Sequence, residues 1–79
     1  MDILTELKRL FCKINPGIDE GKITIESTFT EDLEMDSLGM IELSLEAEDR
    51  FGVNLSDEEL SALTRVGELA ELLRNKLGR

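Results

Sequence analysis

The chain has 79 residues, with 18 acids against 9 bases, no histidine and a net charge of −9. That length holds one small domain, residues 1–79, which buries only roughly 60% of its unfolded surface, so no deep catalytic cavity is expected. Without histidine, a Ser–His–Asp or Cys–His nucleophile is excluded, and the acidic balance argues against nucleic acid and anionic membranes, which both call for clustered Lys and Arg.

Apolar residues make up 41% of the chain, mostly aliphatic, with three Phe and no Trp or Tyr. That is enough for a folded core and too much for a disordered acidic tail. Cys12 stands alone and cannot form an internal disulfide, which fits a reducing, cytoplasmic compartment. Its expected role is a small filler beside an apolar stripe. The first residues lack a basic segment and a long apolar run, so no secretion signal is expected. Nothing approaches the roughly 20 apolar residues of a membrane span.

In chain order, residues 2–14 read as a helix. Ile3, Leu7, Leu10, Phe11 and Ile14 recur at spacings of three and four. Asp2 can cap its start, and Pro16-Gly17 ends it. Residues 15–36 show no period. Ile18, Ile23, Ile25, Phe29 and Leu33 are spread through them, so this long loop is expected to pack across the core, with a short strand conceivable at 22–26. Residues 38–51 read as a second helix, with Ser37 as the N-cap candidate and Phe51-Gly52 as the stop. Ser56-Asp57-Glu58-Glu59 is a capping box that opens a short third helix through about Leu63. Thr64 then caps a fourth, with Val66, Leu69, Ala70, Leu73 and Leu77 facing inward. The sum is an all-α fold: a small four-helix bundle with a long first loop and a short third helix.

The charge is concentrated. Residues 31–59 hold eleven acids and a single base, Arg50, so the remainder of the chain is close to neutral. The second helix runs through that segment and carries two apolar faces. Met40, Leu43, Ala47 and Phe51 form the expected core face on a helical wheel, whereas Leu38, Ile41 and Leu45 fall on the opposite side. Glu42, Glu46 and Asp49 lie beside that second stripe. A bundle this small is not expected to cover both faces, and an apolar patch rimmed by charge marks a partner surface. The alternative is that Leu38 and Ile41 pack under the long loop.

The second stripe begins at Asp36-Ser37-Leu38. Ser37 places a hydroxyl at a helix N-terminus, where unpaired N–H groups and the helix dipole favour a bound or attached phosphate. Taken alone, the tripeptide means no more than a cap. In context, the run Phe29-Thr30-Glu31-Asp32-Leu33-Glu34-Met35-Asp36-Ser37-Leu38-Gly39-Met40-Ile41-Glu42-Leu43 resembles the signature of acyl carrier proteins. The likeness continues through Leu45–Val53, Leu55–Leu60 and the last helix, and so covers nearly the whole chain. The resemblance implies that Ser37 is esterified by 4′-phosphopantetheine, transferred from coenzyme A by a Mg²⁺-dependent transferase, and that the arm's thiol holds acyl intermediates as thioesters. It implies no catalysis by the chain itself. Docking to basic patches of phosphopantetheinyl transferase and acyl-processing enzymes would fall to Asp36, Glu42, Glu48 and Asp49, with Leu38, Ile41 and Leu45 as apolar contacts. Glu46 joins them by its position. The sequence departs from the family pattern at Glu34, where many members have a small residue, often Gly, and at Ser56, which is often Pro. Peptidyl carriers usually read Gly-Gly-(His or Asp)-Ser here, so fatty-acid or polyketide carriage is favoured, in a cytoplasmic monomer.

The same residues admit three other readings. A calcium loop starting at Asp32, Glu34 and Asp36 fails at its sixth position, Ser37 instead of Gly, and at its twelfth, Leu43 instead of Glu. No metal site is therefore expected. An unmodified acidic interaction module would share fold and charge, with Ser37 as a mere cap. An aminoacyl or peptidyl carrier in a specialised pathway is the third.

Overall fold

The structure is a computed structural model that describes residues 2–78. Four α-helices follow one another: α1 (Ile3–Ile14), α2 (Ser37–Phe51), α3 (Asp57–Ala62) and α4 (Val66–Lys76). Helix α1 begins where Asp2 accepts hydrogen bonds from Leu4 N at 3.1 Å and Thr5 Oγ1 at 2.8 Å. The Thr5 hydroxyl, chief among these contacts, holds the Asp2 carboxyl below its ordinary range. Ile3, Leu7, Leu10 and Phe11 are buried, as their spacing predicts. They meet Leu43, Ala47 and Phe51 of α2 and Val66, Leu69, Ala70 and Leu73 of α4 in one core.

The first loop closes that core from one side. Ile23, Phe29, Leu33 and Met35 are buried. The Phe29 ring stands edge-on to Phe11, with centroids 6.0 Å apart and planes at 71°, a favoured aromatic arrangement. No strand forms at 22–26. A 3₁₀ turn at Glu20–Lys22, capped by Asp19, precedes that stretch. Thr28 bridges antiparallel to Arg65, just ahead of α4. Phe29 N donates to Thr64 O at 3.1 Å, Val66 N to Ser27 O at 2.9 Å and Gly67 N to Ile25 O at 2.8 Å. The loop backbone thus finds its partners on the N-terminal end of α4, which satisfies groups that could not be buried unpaired. Ile25 is the exception to the expected anchoring: its side chain is 56% exposed, since its backbone is held against α4 with the side chain turned outward.

Helix α2 ends as expected at Gly52, which adopts the left-handed conformation (φ 68°) and donates to Glu48 O at 2.9 Å. The capping box of α3 is present: Glu59 N donates to Ser56 Oγ at 3.1 Å and Ser56 N to Glu59 Oε1 at 3.0 Å. That backbone N–H, followed by the Lys76 ammonium 3.0 Å away, holds the Glu59 carboxyl below its usual range. The N-cap of α4 is Arg65, not Thr64. Glu68 reaches back and accepts from both Thr64 N and Arg65 N at 2.8 Å. One carboxylate therefore does what the Thr64 hydroxyl was expected to do. Leu77 and Met40, both expected in the core, are only half-buried against it.

Candidate functional site

The start of α2 sets the site. Asp36 has extended backbone (φ −92°, ψ −172°), and its Oδ1 accepts from Gly39 N at 2.8 Å. Asp36, not Ser37, is therefore the N-cap. A carboxylate answers the partial positive charge of the helix end more strongly than a hydroxyl. Ser37 becomes the first residue of a 15-residue helix. Its side chain is exposed and, among the described residues, its hydroxyl has no hydrogen-bond partner. First-turn N–H groups lack intrahelical acceptors, so a phosphate ester on Ser37 Oγ would sit where negative charge is favoured.

Two depressions lie at the start of α2, one of them lined by this serine. On the α3 side is a cleft of about 490 Å³, lined by Phe29, Thr30, Ser37, Met40, Ile41, Asp57, Leu60, Ser61 and Leu63. Its volume falls within the range of about 300–1,000 Å³ typical of small-molecule sites. It explains why Met40 is only half-buried: its side chain borders the cleft. On the α1 side is a smaller notch of about 210 Å³, with Ile14, Met35, Leu38, Glu34, Asp36 and Glu42 among its lining residues.

Helix α2 does expose its second stripe. Leu38, Ile41 and Leu45 are 63%, 54% and 60% exposed, which rules out packing beneath the loop. The opposite face buries Leu43, Ser44, Ala47 and Phe51. The Ser44 hydroxyl donates to Ile41 O at 2.8 Å, so this buried polar group is satisfied within its own helix. The acids divide into two groups. Asp36, Glu42 and Asp49 are exposed, and none forms an ion pair among the described residues. Glu46 pairs with Lys13 at 2.9 Å. Glu48 is half-buried and accepts from Leu55 N at 2.8 Å, which fastens the connector between α2 and α3. Arg50, the one base of the acidic segment, reaches across to Glu6 on α1.

Sequence reasoning did not assign the cleft residues Phe29, Thr30, Leu60, Ser61 and Leu63 to the site. Only the fold brings them to Ser37. Asp32 directs its carboxylate to Thr28, accepting from its N at 2.8 Å and its Oγ1 at 3.2 Å. Among the described residues no group of three or more His, Cys, Asp or Glu could hold a metal ion. Cys12 is half-buried. Burial, then the nearby Glu20 and Asp19 charges, pushes its thiol up, away from a reactive thiolate. No helix among the described residues is long and apolar enough to cross a membrane.

A family model described as the phosphopantetheine attachment site matches residues 5–73. An acyl carrier protein of Rhodococcus erythropolis is 33% identical over 73 residues, 92% of this chain and 79% of that protein. An acyl carrier protein of Rubrobacter xylanophilus is 46% identical over 55 residues, 70% of this chain and 68% of its own length. The meromycolate extension acyl carrier protein of Mycobacterium leprae is 40% identical over 58 residues, covering 73% of this chain. The matched stretch spans only 50% of that relative.

Proposed function

The chain belongs to the acyl carrier protein family, whose members hold 4′-phosphopantetheine covalently, and from that premise we propose that Ser37 Oγ is the atom that bears the arm. The observation that carries this is the geometry at the start of α2. Asp36 takes over the capping bond, so the Ser37 hydroxyl stays exposed and free at the end of a helix that favours phosphate. The residues present fit the group. Ser37 would supply the ester oxygen at a helix start that favours negative charge, and the cleft lined by Met40, Ile41, Leu60 and Leu63 would offer an apolar wall beside it. When bound, the arm supplies a terminal thiol that holds acyl groups as thioesters. The chain itself is a carrier and performs no catalysis.

Docking falls to the exposed face of α2. Leu38, Ile41 and Leu45 provide the apolar contacts, with the exposed carboxylates of Asp36, which also caps the helix, Glu42 and Asp49 around them. Glu46 and Glu48 have partners within the chain and contribute to that field from pinned positions. The partners are the phosphopantetheinyl transferase and acyl-processing enzymes with basic patches, which such a field attracts from a distance. Relatives named for meromycolate extension support fatty-acyl cargo over a polyketide. A monomer working in the cytoplasm completes the reading, supported by the high net charge and the lone half-buried cysteine.

The test is incubation with coenzyme A, Mg²⁺ and a broad-specificity transferase, followed by intact mass. Wild type gains one phosphopantetheine and Ser37→Ala gains none. A wild-type chain left unchanged by several transferases refutes the carrier reading and favours the unmodified module.

A further inference from the structure

Lys13 sits in the last turn of α1 and crosses to α2, where its Nζ donates to Glu46 Oε2 at 2.9 Å. The helix dipole favours a base in a last turn, which accounts for its place on α1 but not for its direction. That direction brings a positive charge into the acidic face of α2. Lys13, Ile14, Glu42, Leu45 and Glu46 line one depression of about 210 Å³. Ile14 and Glu42 also line the notch at the start of α2, so the two depressions adjoin along the seam between α1 and α2. Leu45, at the Lys13 end, belongs to the exposed apolar stripe. The pair itself is open to solvent, with the side chains of Lys13 and Glu46 65% and 34% exposed. Such a pair contributes little to stability and is readily displaced. Asp36, Glu42 and Asp49, the other exposed acids of this face, have no such base from within the chain among the described residues.

We infer that the Lys13–Glu46 pair is an autoinhibitory contact: the chain's own lysine occupies a carboxylate of the docking face and restrains the enzyme that loads Ser37. This rests on the carrier reading above and on its docking face. A cation that the enzyme brings to Glu46 has to displace the Lys13 ammonium or endure its repulsion at close range. The restraint is local, because at physiological ionic strength an exposed charge is screened beyond about 8 Å. It acts at the α1 edge of the face, beside Leu45, and leaves Glu42 and the Ser37 end open. Arg50 exerts no such restraint. It also ties α2 to α1, but its partner Glu6 lies on α1, outside the acidic segment, so no carboxylate of the face is taken up. Lys13 is therefore the base whose removal uncovers an acid of the docking face while costing the fold little.

The experiment measures loading of Ser37 by a broad-specificity phosphopantetheinyl transferase with coenzyme A and Mg²⁺, at physiological ionic strength. It compares wild type, Lys13→Gln, Lys13→Arg, Glu46→Gln, the double variant Lys13→Gln/Glu46→Gln and the control Lys22→Gln. Lys22 is exposed, forms no ion pair among the described residues and does not line this depression, so its loss changes the net charge equally. The expected result is a KM for the carrier about two- to threefold lower in Lys13→Gln, the scale of an exposed ion pair, with kcat unchanged. Lys13→Arg, which keeps the charge, and Lys22→Gln should both match wild type. In the Glu46→Gln background the gain from Lys13→Gln should disappear, because no carboxylate is left to uncover. A merely structural pair would instead lower the Tm of Lys13→Gln and leave its KM alone. A KM that is unchanged or raised in Lys13→Gln, an equal fall in Lys22→Gln, or a gain that persists without Glu46 each overturns the inference while the carrier reading stands. Failure of wild type to be loaded at all removes the carrier reading and this inference with it.

Discussion

Replacing Gly67 by alanine tests how the first loop is fastened. A Cβ at this position would lie 2.9 Å from Ile25 O and 3.2 Å from Ile25 Cβ. The obstacle is backbone, and the same carbonyl accepts from Gly67 N at 2.8 Å. The methyl group cannot gain room without lengthening that bond, and the neighbouring bond from Val66 N to Ser27 O at 2.9 Å resists the shift. Overpacking costs about 1–3 kcal/mol, and a weakened hydrogen bond adds up to about 1 kcal/mol. Against this, alanine is favoured over glycine by at most about 1 kcal/mol in a helix interior, and by less in a first turn. The net expectation is a loss of about 1–2 kcal/mol, which lowers the Tm by about 4–16 °C in a domain of this size. Urea unfolding at 25 °C, followed by circular dichroism, reads the free energy directly. A variant as stable as wild type, or more stable, would mean that helix propensity outweighs the contact and that the loop is not held to α4 by this approach.

Removing the α2 cap with Asp36→Ala should cost about 1 kcal/mol, measured by urea unfolding, while the folded variant still accepts phosphopantetheine on Ser37. A total loss of loading in a folded Asp36→Ala would mean that Asp36 is indispensable to loading, beyond its parts in capping and docking. Acid stability should depend on Glu68, whose carboxyl is held down first by Arg65 N–H and then by Thr64 N–H. A depressed carboxyl stabilises the fold above its unfolded pKa, near 4.5, and that contribution is lost as the pH falls through the lower folded value. Glu68→Gln should therefore be less stable than wild type at pH 7, with the gap closing below about pH 4.5 in pH-dependent urea titrations. A gap of constant size would contradict the linkage. Docking should weaken as salt rises, since exposed charges are screened beyond about 8 Å at physiological ionic strength. Glu42→Lys should slow association with the transferase more than Glu26→Lys in stopped-flow measurements, and equal effects would count against α2 as the docking face.

Helix α1 and the two faces of α2 were legible because burial follows the 3.6-residue period. Ile3, Leu7, Leu10 and Phe11 go inside, and Leu38, Ile41 and Leu45 stay out. Cap identity was not legible. Asp36 and Ser37 are both good caps side by side, and the choice rests on which backbone turns extended. At α4, the carboxylate of Glu68, three residues after Arg65, displaced the hydroxyl expected from Thr64. The loop was opaque for a related reason. Ile23 is buried and Ile25 exposed, and the backbone of Ile25 is held by Gly67, about forty positions away in the chain. Glu34 carries no mark of its left-handed backbone in its residue type. At the site, the motif pointed to Ser37, but the cleft beside it is assembled from α2, α3 and the loop, and only their packing brings those residues together.

The central claim is that one particular hydroxyl bears the arm, and tandem mass spectrometry of the loaded protein tests it most directly. The chain has five serines. Ser27 and Ser44 are buried, and Ser56 is engaged in the α3 capping box. Ser61 is the serious competitor, because it is exposed and lines the same cleft as Ser37. It lies in the second half of a six-residue helix, however, away from any free first-turn N–H groups. Fragment ions should place phosphopantetheine on Ser37 alone, with Ser61 unmodified. An arm found on Ser61, or a mass gain that persists in Ser37→Ala, would contradict the account.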